Sequence, residues 1–167
     1  DSSDLLDVTE DCSDEVYLLP SAGVAWSDAN TVPVQQADLV ASKNIQMRDI
    51  SINFHNVASS AIATKRAAIQ AAHGKVNSST YRGSAAETLL YKGSKLTWTR
   101  YSSGGQRWTM SNQFQERRNT IEDGTTVKGW NTFFDQNTGT WRDLVYLGTT
   151  EKMYKAVAGS VFDALIT

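Results

Sequence analysis

The sequence predicts an α+β fold, mainly an antiparallel β sheet or sandwich with one main helix at about residues 59–73. Three observations lead there. Residues 46–54 alternate, with Arg48, Ile50, Ile52 and Phe54 on one face and Met47, Asp49, Ser51 and Asn53 on the other, the period of a half-buried strand. Ala58, Ala61, Ile62, Ala68, Ile69 and Ala72 recur at spacings of three and four, a helical stripe. From Glu87 onward, short alternating segments are separated by glycine-bearing turns, as in a meander of strands. With 167 residues the chain supports one core. We divide it into an acidic extended arm, 1–44, and a single α+β domain, 45–167.

The arm has no dependable period. Val16-Tyr17-Leu18-Leu19 is a short apolar patch ended by Pro20, and Trp26 is its one large anchor. It reads as a segment that orders by docking, or as an irregular connection with short strands. Ser59 or Ser60 is placed to cap the helix, Lys65 falls in a gap of the apolar stripe where it can snorkel, and Gly74 follows His73 where a left-handed C-cap belongs. Glu87–Tyr91 and Leu96–Tyr101 are expected to flank a turn at Lys92–Lys95, with a second turn at Ser102–Gly105. Gln106–Phe114 then returns, with Trp108, Met110 and Phe114 on alternate positions. Glu116–Gly124 is polar and reads as a loop. Thr125–Phe134 and Thr140–Leu147 flank a five-residue loop, Lys152–Val157 is a last strand, and Val161–Leu165 a terminal helical turn.

Chemistry is sparse. Cys12 is the single cysteine and is surrounded by Glu10, Asp11, Asp14 and Glu15, which disfavour a thiolate. The two histidines, His55 and His73, belong to no nucleophile motif, and His73 suits a helix C-terminus. No G-x-S-x-G elbow or phosphate-binding glycine loop occurs. The acidic run from Asp4 to Asp14 lacks the glycine and spacing of a calcium loop. No catalytic, cofactor or metal residue is expected, and the chain does not read as an enzyme. No stretch approaches the roughly 20 apolar residues that span a membrane, and the opening residues lack the pattern of a signal peptide.

Charge is unevenly distributed. Residues 1–42 hold nine acids and no Lys or Arg, whereas residues 43–118 hold twelve basic residues against Asp49, Glu87 and Glu116. The arm therefore either lies on its own domain or docks on the body of the next subunit. The scattered basic residues do not mark nucleic acid as the partner. The five tryptophans, Trp26, Trp98, Trp108, Trp130 and Trp141, suit core and interface anchoring, with a sugar-stacking platform as the alternative. Trp98 and Trp108 are candidate cross-strand neighbours.

The ordered set Gly74-Lys75-Val76-Asn77, Tyr81-Arg82-Gly83, Ala86–Gly93, Trp108, Phe114, Lys128-Gly129-Trp130 and Val161–Leu165 resembles a group of uncharacterised virion structural proteins of tailed bacteriophages and prophages. The likeness spans roughly residues 45–166. It implies a tail, neck or baseplate component located in the virion, and in the host cytoplasm during assembly. Its partners would be itself, as a ring or tube, and other virion proteins. Read from the residues, the same positions have plain roles: glycines for turns, Asn77 holding a loop, Trp130 and Phe162 as apolar anchors. The expected contact residues are Asp4, Asp7, Glu10, Asp11, Asp14, Glu15, Trp26, Arg117, Arg118 and Trp141. The alternative function is a monomeric glycan-binding β module.

Overall fold

The computed structural model describes residues 6–15, 24–34, 45–120, 127–135, 138 and 140–166. Its main sheet contains β1 (Leu6–Glu15), β4 (Ile45–Val57), β7 (Gln106–Thr120), β6 (Leu89–Arg100), β5 (Val76–Asn77) and β11 (Ala156–Val157), in that spatial order, with β8 (Val127–Lys128) paired to β7. A second sheet runs β3 (Ala29–Pro33), β2 (Val24–Trp26), β10 (Thr140–Tyr146), β9 (Thr132–Asp135). The chain is thus mainly β with one main helix, α1 (Ile62–Ala72), and a short C-terminal helix, α2 (Gly159–Ile166).

The predicted 46–54 strand is the centre of β4. It brings Ile50, Ile52 and Phe54 beside Phe114, Asn112 and Met110 of β7. Both helices cover this face. Ile50, Ile52, Val57, Leu89, Tyr91, Met110 and Phe114 pack there against Ile62 and Ala72 of α1 and Phe162, Leu165 and Ile166 of α2. Phe162 is the aromatic hub, its ring 5.5 Å from those of Tyr81 and Phe114.

The helix starts differently from expectation. Ser59–Ala61 form a 3-10 turn without a side-chain capping bond, and α1 begins at Ile62. Gly74 takes the expected positive φ of 69°. Lys65 is 5% exposed. Its ammonium donates to the Ala164 carbonyl at 3.1 Å and lies over the Phe54 ring. Burial holds its pKa below the ordinary lysine value.

The turn expected at Lys92–Lys95 is absent: β6 is one strand through residues 89–100. Gly93, at φ 138°, sits at a register shift between Tyr91 and Gly93 against β7. It supplies a bulge that bends the strand without reversing it. The reversal comes at Ser102–Gly105, as expected, and Trp98 lies directly opposite Trp108. Residues 116–120, expected as loop, continue β7; residues 121–126 lie outside the described residues. Of the expected 152–157 strand only 156–157 is strand, with an isolated bridge at Lys152, and the last helical turn is the eight-residue α2.

The two sheets meet at residues 129–132. A Cβ on Gly129 would lie 2.0 Å from the Glu87 carbonyl oxygen, so only glycine fits. Trp130 donates its backbone N–H to that same carbonyl at 2.9 Å and its indole N–H to the Thr88 carbonyl at 2.9 Å. Asn77, fully buried, donates to the carbonyls of Ser79 and Ala85 and accepts from the Leu89 N–H, fulfilling its expected loop-holding role.

Gly129→Ala is expected to cost about 2 kcal/mol or more through backbone displacement. Gly104→Ala meets no neighbouring atom and should cost about 1 kcal/mol for its positive φ; urea denaturation distinguishes the two. The unfolded chain holds the Lys65 proton more tightly than the folded chain. The cost of burying the ammonium is therefore complete below the folded-state pKa and fades as pH rises from there toward the unfolded value of about 10.4. The melting temperature of the wild type relative to Lys65→Met should rise as pH is raised toward about 10.

Candidate interaction surface

The four long strands alternate in direction, since β1–β4, β4–β7 and β7–β6 are all antiparallel. β1 ends the sheet, and no described strand pairs with its outer side. It carries Asp7, Glu10, Asp11, Asp14 and Glu15 and no basic residue. On the helix-covered face, Glu10 bonds the Arg48 guanidinium at 3.2 Å, and Val8 is 50% exposed. On the opposite, open face, Asp7 lies 2.9 Å from His55, and Asp11 sits directly opposite Asp49. Cys12 is exposed.

At the far edge, β5 meets β6 in register only at Val76–Leu90. Backbone bonds with residues 74 and 75 end at Tyr91. Beyond that point the outer side of β6 has no strand partner among the described residues. β4 ends opposite Trp108, so residues 97–107 project as a two-stranded ribbon. The segment between Glu87 and Glu116 contains Lys92, Lys95, Arg100 and Arg107 and no acid. Trp98 is 47% and Tyr101 48% exposed, and Arg107 stacks over Tyr101 while donating to Asn56 Oδ1 at 2.7 Å.

A cleft of about 190 Å³ opens beside β1 on the helix-covered face, more than tenfold the ~10–15 Å³ that holds one water. Its floor is Ile50, Ile52, Leu89 and Phe114, and Val8, Glu10, Arg48 and Arg82 stand around it.

The expected contact residues separate into groups. Asp7, Glu10 and Asp11 are exposed on β1. Asp14 and Glu15 continue that strand opposite Gln46 and Ile45, and Asp4 lies outside the described residues. Arg118 is exposed at the end of β7, and Trp141 is half-buried in β10. Two expectations are corrected. Trp26 is 5% exposed in the core of the second sheet. The Arg142 guanidinium lies 4.6 Å from its ring and is bound by Asp28 and by Asp135 at 2.6 Å. The hydrogen bond from Arg142 holds the Asp28 carboxyl below its usual range. Arg117 is 1% exposed. Its Nη1 donates to the carbonyls of Gly129, Trp130 and Thr132, and its guanidinium stacks 4.2 Å from the Phe133 ring. Trp26 is interior because Val34, Leu144, Phe133 and Met153 pack around it, and Arg117 because residues 129–133 lie over it.

Nearby, the Lys152 ammonium lies 2.8 Å from Glu87 and 3.0 Å from Asp143. Burial lowers its pKa, but the hydrogen bonds from the two carboxylates outweigh this and leave it above the ordinary lysine value. Both this triad and the Arg142 cluster tie strands together. No group of metal-ligating side chains occurs among the described residues, and no helix is long and apolar enough to cross a membrane. The sequence reading missed the outer edge of β6 with Trp98; the acid-free run from Lys92 to Gln115 was the available signal. Comparison with protein-family models, curated proteins and solved structures returned no match.

Arg117→Ala should destabilise the fold by about 3 kcal/mol, because buried carbonyls lose their donor. Arg118→Ala should stay within about 0.5 kcal/mol. Urea denaturation of both variants checks the interior and surface assignments.

Proposed function

We propose that this chain is a structural assembly protein that joins copies of itself edge to edge into a ring or tube, acting through contact rather than catalysis. One observation carries the reading: the same four-stranded block is bounded by acidic β1, unpaired on its outer side among the described residues, and by basic, acid-free β6, whose outer side is likewise unpaired beyond Tyr91. Like charges oppose β1–β1 and β6–β6 pairing. Only the mixed pairing is complementary, and a mixed contact is head-to-tail, the kind that closes rings or propagates filaments. Strand direction supports it. Because the block has four alternating strands, β6 of one copy and β1 of a similarly oriented neighbour are antiparallel, so the sheet continues unbroken.

The setting is that of the resemblance over residues 45–166: a tailed-phage virion, in its tail, neck or baseplate, with other virion proteins as further partners and no cofactor. The glycan-binding alternative has less support. Trp26 and Trp130 are buried, Trp108 faces the core, and Trp98 is the tryptophan with a large exposed surface among the described residues.

Size exclusion with light scattering should detect a large species at low salt that dissociates as salt rises, since screening weakens exposed charge pairs. Asp7→Lys with Asp11→Lys should weaken self-association by at least about tenfold, and Lys95→Glu with Arg100→Glu in the mixed partner should restore it. A folded monomer at every salt and at high protein concentration would refute the reading.

A further inference from the structure

We infer that β6 of one copy pairs with β1 of the next in the register that sets Trp98 opposite Val8, with the indole lying over the cleft beside β1. This rests on the edge-pairing reading above and specifies its contact. Among the described side chains of β1 and β6, Val8 and Trp98 are the exposed large apolar ones, at 50% and 47% exposure. Both project to the helix-covered face, Val8 opposite Ile52 and Trp98 opposite Trp108. Edge pairing must keep that face matched, because a one-residue slip sends every side chain to the other side. Among the matched registers, the one joining residues 98 and 8 places Leu96 at Glu10, Thr97 at Thr9 and Lys95 at Asp11.

That last pair matters most for the electrostatics. Asp11 already faces Asp49 of β4, and an incoming Lys95 ammonium on the same open face brings an opposite charge beside Asp11. On the other face, Trp98 arrives beside Val8 and Glu10, both of which line the cleft. An indole there covers an apolar floor that water otherwise wets. Shifting the register by two residues separates Lys95 from Asp11 and moves the indole off Val8. The occupant is a second copy of this chain, on the ground of charge complementarity and matching apolar residues.

Disulfide trapping in full-length protein tests this. A Cys12→Ser background carries Thr9→Cys together with Lys95→Cys, Thr97→Cys or Thr99→Cys. Within one copy, residue 9 and these positions are three strands, about 14 Å, apart, beyond the roughly 7 Å limit for a disulfide. Any bond therefore joins two copies. Under mild oxidation the Thr97→Cys pair should form covalent multimers at least about tenfold faster than the other two. Separately, Trp98→Ala should weaken self-association about tenfold or more with little change in the monomer's melting temperature. Preferential trapping at 95 or 99 overturns the register while edge pairing stands. Assembly by light scattering with no trapping at any position overturns the β6–β1 contact. Absence of assembly in the wild type overturns the functional reading itself.

Discussion

The contact between the Glu87 carbonyl and the Gly129–Trp130 backbone, sealed by the Arg117 guanidinium, is the constraint on which the rest of the structure depends. It presses two backbones together so closely that residue 129 has no room for a side chain. Glu87 itself adopts a positive φ of 61°, a conformation that costs a non-glycine residue energy and is held by bonds on both sides. Its N–H goes to the Asn77 carbonyl, its carbonyl to the Trp130 N–H and its carboxylate to Lys152. From this point one direction leads into β6 and the helix-covered core, and the other into β9, β10 and the second sheet. Arg117 completes it by donating to three carbonyls of the 129–132 turn, buried acceptors that need donors.

This joint divides the open face of the main sheet into two regions. At one end Met47, Val76, Leu90 and Trp130 form a buried cluster. At the other, Thr9, Ser51, Gln113, Lys95, Thr97 and Thr99 remain polar, with Ser51 bonded to Gln113. An antiparallel sheet tolerates one solvated face. The polar end therefore needs no cover, and the block can present its two edges to neighbours. The strong charge asymmetry along the chain is converted by topology into an asymmetry across the sheet. The acidic strand comes from the first fifteen residues and the basic one from the segment around residue 95, and β4 and β7 hold them at opposite ends.

Much of the fold was legible because its signals are local. The alternation of Ile50, Ile52 and Phe54, the alanine stripe of α1, the Gly74 cap and the Ser102–Gly105 reversal each depend on residues within a few positions of one another. So did the Trp98–Trp108 pairing, once the intervening turn was placed. Gly93 misled because a glycine with a positive φ serves a bulge as well as a turn, and only the partner strand distinguishes the two. Arg117 misled because polar residues 116–124 read as a loop, whereas β7 continues through Arg117 and its cover comes from a distant segment.

By itself, the sequence determined the β-rich class, the position of the main helix, the lack of recognisable catalytic motifs and the unequal charge of its segments. These follow from composition and from periods of two and 3.6, which the backbone enforces locally. Only the tertiary structure decided that acidic β1 ends the sheet and that basic β6 lies three strands away, its outer side beyond Tyr91 without a strand partner among the described residues. It also decided that Trp26 and Arg117 are interior while Val8 and Trp98 are exposed on one face. Exposure is a property of what packs above a residue, and here that covering comes from chain segments whose distance along the sequence hides their proximity in space.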